Sequence, residues 1–69
     1  MELHQFLIEA LRPQEGLRRG QAFMNALFLV RPKLYHRIME DSPDLDVFYS
    51  GNEDDLMRTA AWVSRNWDE

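Results

Sequence analysis

The sequence predicts an all-α fold, a compact bundle of three to four short helices forming one domain over residues 1–69. Three observations carry that expectation. Apolar residues recur at helical spacing in four segments. Pro13, Pro32 and Pro43 fall at the breaks between them, where a missing N–H and a fixed φ interrupt a helix. The stretch with a different pattern, residues 44–51, is too short and isolated to pair as a sheet.

The first helix is expected over residues 2–11. Leu3, Phe6, Leu7, Ala10 and Leu11 share one face, and Gln5 and Glu9 the other. Arg12-Pro13 stops it, because the residue before a proline is pushed out of the helical region. A second helix is expected to begin near residues 13–16 and reach Val30, with Leu17, Phe23, Met24, Leu27, Phe28 and Val30 along its apolar arc. Gly20 falls inside that arc, where glycine costs about 1 kcal/mol against alanine. The favoured reading is that another helix crosses there; the alternative is that Gly20 marks the start of a shorter helix. Leu29 is apolar but lies off the arc, near Arg18, Gln21 and Asn25.

Pro32 suits the first position of a third helix reaching Glu40, with Leu34, Tyr35, Ile38 and Met39 inward and Lys33, His36 and Arg37 outward. Ser42-Pro43 ends it. Asn52 caps a fourth helix through Trp67, with Asp55 placed to reach back, and Glu53, Asp54 and Asp55 sit at the positive end of its dipole. Leu56, Ala60, Val63 and Trp67 form its apolar stripe. The expected core is Phe6, Leu7, Leu17, Met24, Leu27, Phe28, Leu34, Ile38, Leu56, Val63 and Trp67.

A chain of 69 residues buries only about 60% of its unfolded surface. With no cysteine available for a disulfide or a thiolate metal site, a dense core or an oligomer must supply stability. No apolar run approaches the roughly 20 residues of a membrane span. Met1-Glu2-Leu3-His4 shows no basic region ahead of an apolar one, so no signal peptide is expected. A cytoplasmic, soluble domain with no membrane association is the expectation.

The net charge of −4 is sorted along the chain. Arg12, Arg18, Arg19, Arg31, Lys33 and Arg37 precede an acidic segment, residues 40–55, holding Glu40, Asp41, Asp44, Asp46, Glu53, Asp54 and Asp55. Catalysis has little to work with. Ser42, Ser50 and Ser64 lie in no strand–turn–helix elbow, and His4 and His36 are far apart in sequence. A calcium loop fails too. Counting from Asp41 or from Asp44 puts Asp46 or Tyr49 where a glycine is needed. Direct nucleic-acid contact is not expected from an acidic chain whose third helix offers only Lys33, His36 and Arg37. No enzyme activity, cofactor or metal is expected.

Protein interaction remains. Trp62 lies about 120–140° from the apolar stripe of its own helix, at 100° per residue, beside Arg58 and Arg65. An aromatic there needs a cover, either Phe48 and Tyr49 folding back or a partner chain, and tryptophan and tyrosine are enriched in interface hot spots. The expected partner-binding residues are Tyr49, Arg58, Trp62 and Arg65, engaging an unidentified protein. Two other readings stay open: a decoy in which the acids mimic nucleic acid to inhibit a DNA- or RNA-binding protein, and a structural homodimer.

Over residues 18–67, Arg19-Gly20-Gln21, Asn25-Ala26-Leu27, Pro32 with Leu34, Asp46-Val47-Phe48-Tyr49, and Trp62-Val63 with Trp67 occur in an order that resembles small uncharacterised proteins of bacteriophages and prophages. Where such proteins often show Asp-Pro-Phe-Tyr, this chain has Asp46-Val47-Phe48-Tyr49, which leaves the turn without its proline. The resemblance implies a compact, non-secreted phage-type protein with no assigned activity. It also implies that Phe48, Tyr49, Trp62 and Trp67 form one cluster.

Overall fold

A computed structural model describes residues 1–68. Four α-helices follow in order: α1 (Leu3–Ala10), α2 (Arg19–Val30), α3 (Pro32–Asp41) and α4 (Glu53–Arg65), with a single 3₁₀ turn at Pro43–Leu45. No strand occurs among the described residues. The predicted all-α bundle is the observed architecture.

α1 starts where the Glu2 carboxylate accepts the Gln5 N–H at 2.8 Å, satisfying one of the donors a helix start leaves open. It buries Phe6 and Ala10. The chain from Leu11 to Arg18 is not helical, which corrects the expected start of the second helix. Gly16 adopts φ +83°, a left-handed conformation that a helix cannot continue through and that side chains resist. α2 therefore begins at Arg19. Leu17 is half-buried from the connecting chain rather than from a helix.

Gly20 lies in the first turn of α2, as the alternative reading had it, and the element pressed against it is the 47–50 loop rather than a crossing helix. A Cβ there would overlap the Val47 carbonyl oxygen and lie 2.7 Å from that of Ser50. The Gly20 N–H donates to the Ser50 carbonyl at 3.2 Å. α2 has no side-chain cap at its start, so a loop carbonyl takes over part of that task.

One residue, Arg31, joins α2 to α3, with Pro32 at the first position as expected. The Arg31 guanidinium donates to the carbonyls of Val30 and Met1 and stands 4.2 Å from the centre of the Trp67 ring. Arg19 is the second strap. It donates to the Leu11 carbonyl at 3.0 Å and pairs with Glu53, tying the end of α1 to the start of α4. Asn52 caps α4 by accepting from the N–H groups of Asp54 and Asp55. The Asn52 N–H itself donates to Ser50 Oγ at 3.0 Å, so Asp55 does not reach back to it. Instead Asp55 accepts from Ser50 Oγ and pairs with Arg58.

Phe6, Phe23, Met24, Leu27, Leu34, Ile38 and Val63 are fully buried, joined by Leu45, Val47, Leu56, Ala60 and Trp67. Trp67 packs on Phe6, ring centres 4.9 Å apart. Thr59 is completely buried, and its hydroxyl donates to the Leu45 carbonyl at 2.7 Å. Of the expected core, Leu7 and Leu17 are only half-buried, and Phe28 is wrong outright, 48% exposed. The Cα radius of gyration is 10.7 Å, against about 11 Å for a compact domain of this length. No helix among the described residues is long and apolar enough to cross a membrane.

Candidate functional site

Of the four residues singled out from sequence, Arg58, Trp62 and Arg65 share one face of α4 at helical spacing, and Tyr49 lies apart from them. Trp62 is half-buried against the core, and the Arg37 guanidinium of α3 lies 5.2 Å from the centre of its ring. The cover over Trp62 is thus an arginine from the neighbouring helix. Arg58 is exposed and pairs with Asp55 at 3.0 Å, one helical turn back. Arg65 is exposed in the last turn of α4.

Tyr49 sits elsewhere, 79% exposed and stacked edge-on against Phe48, ring centres 4.9 Å apart. With Phe48 it faces Tyr35 and Met39 of α3 across a shallow depression of about 270 Å³ that Asp46 also lines. Arg37 is two positions from both Tyr35 and Met39, about 200° around the helix. α3 therefore stands between Tyr49 and Trp62. The single cluster implied for Phe48, Tyr49, Trp62 and Trp67 is not formed. Phe48, Trp62 and Trp67 all contact the common core, while Tyr49 stays outside it.

A second depression of about 400 Å³ adjoins the first and is lined by Asn25, Phe28, Leu29 and Tyr35. Tyr35 lines both depressions, and the pair is termed the Tyr35 channel. The tight corner at Arg31 brings the α2 and α3 residues of the second depression together. α3 folds back beside the last turns of α2, and Phe28 meets Tyr35 edge-on, ring centres 5.0 Å apart, instead of entering a core already filled by Met24 and Leu27. His36 extends the aromatic group, 5.5 Å from Tyr35. Leu29 beside it is 79% exposed.

Asp46 accepts the Phe48 N–H at 3.0 Å, which fixes the turn that presents Phe48 and Tyr49. Exposed aromatics and leucine in a concave surface, with Asn25 and Asp46 as polar edges, suit apolar side chains of another molecule. Sequence reasoning flagged Leu29 and Tyr49 but missed Phe28, Tyr35, Met39 and Phe48 as one surface. No spacing signal separates Phe28 from the buried Leu27 before it, since the successive residues Phe23 and Met24 of the same helix are both buried. Among the described residues, no three histidine or carboxylate side chains gather where they could hold a metal ion.

Comparison with known proteins yields no match: no family model, no curated protein and no solved structure is similar to this chain.

Proposed function

We propose that this chain is a small protein–protein interaction module, a phage-type cytoplasmic protein that acts by binding rather than by catalysis. The observation that carries the reading is the Tyr35-centred channel. Phe28 and Leu29 in one depression and Tyr49 in the other stay substantially exposed, with Tyr35 lining both. Desolvated tyrosines and other aromatics are typical anchors of binding energy. The contact moves accordingly from the Arg58–Trp62–Arg65 face to the channel, and only Tyr49 is kept from the sequence-based set.

The test is affinity capture from bacterial lysate with wild type and a Phe28→Ala/Tyr49→Ala double variant in parallel, followed by mass spectrometry. Both substitutions lie outside the core, so the helical circular-dichroism signal is expected to persist. A protein retained by wild type and lost by the double variant supports the channel as the contact. A protein retained equally by both places binding on another surface and overturns it.

A further inference from the structure

We draw no further inference here: the strongest candidate, the apolar surface patch of Phe28, Leu29, Tyr35 and Tyr49 where α2, α3 and the 46–49 turn meet, belongs to the site already described, and nothing in the structure shows what covers it.

Discussion

Gly20 presses against the Val47 carbonyl so closely that no Cβ fits between them. That contact, with the Gly20 N–H donating to Ser50 at 3.2 Å, seats the 47–50 loop on the first turn of α2. The same loop carries Phe48 and Tyr49 into the channel. A backbone-to-backbone contact in the core therefore sets the position of two surface aromatics.

Gly20→Ala is expected to destabilise the protein by about 1–3 kcal/mol, the usual cost of forcing a methyl group into filled space, although alanine favours a helix over glycine by about 1 kcal/mol. Urea denaturation measures it. A neutral or stabilising result means the loop moves away at little cost. Tyr49 is expected to change its environment in the variant.

Thr59→Val keeps the shape but removes the donor to the Leu45 carbonyl. An unsatisfied carbonyl at a completely buried site costs about 1–3 kcal/mol, and Thr59→Ser is expected to retain most of the bond at the expense of a methyl group. If valine and threonine unfold at the same denaturant concentration, the bond contributes nothing net.

Trp67→Ala and Trp62→Ala should separate clearly in thermal or chemical unfolding. Trp67 is 7% exposed, stacked on Phe6 and capped by Arg31, so its truncation is expected to cost about 3–5 kcal/mol. Trp62 is half-buried and is expected to cost less, about 1–3 kcal/mol, the loss of part of its buried area plus a cation–π contact of about 0.5–1 kcal/mol. A Trp62 variant as stable as wild type would return that side chain to the list of surface anchors.

The Phe28→Ala/Tyr49→Ala variant is expected to stay within about 1 kcal/mol of wild type, the range of surface substitutions that leave a core intact. Calorimetry decides. A larger loss would make Phe28 a structural residue that closes the α2–α3 corner.

Much of the fold was legible because local rules sufficed. Pro32 at the start of α3 and Asn52 as the cap of α4 each follow from a backbone group that needs a partner or cannot offer one. The failures share a different cause. The apolar period continued through Leu17, yet Gly16 turned the chain left-handed and α2 started at Arg19. Leu17 was half-buried by the connection instead, and hydrophobic spacing does not distinguish the two. Phe28 obeyed the helical period as well as Leu27 did. Its exposure depends on how many side chains the shared interior holds, which is a property of all four helices together.

The candidate site was the least legible part for the same reason. Trp62 was recognised as off its stripe, and it is, but its cover came from Arg37, a residue distant in sequence. Phe28, Tyr35, Met39 and Tyr49 belong to three segments and share no spacing that marks them as neighbours.

The amino-acid sequence by itself determined the helical class, the breaks between helices, most of the inward-facing residues and the sorting of acid from base. These depend on backbone chemistry and on periodicity within single segments. The tertiary structure alone decided that the loop backbone requires glycine at position 20, that Trp62 lies beneath an arginine, and that Phe28 and Tyr49 border one channel. Those outcomes arise from competition among side chains of different segments for a finite interior, and which ones are left outside is settled only when all the helices have packed.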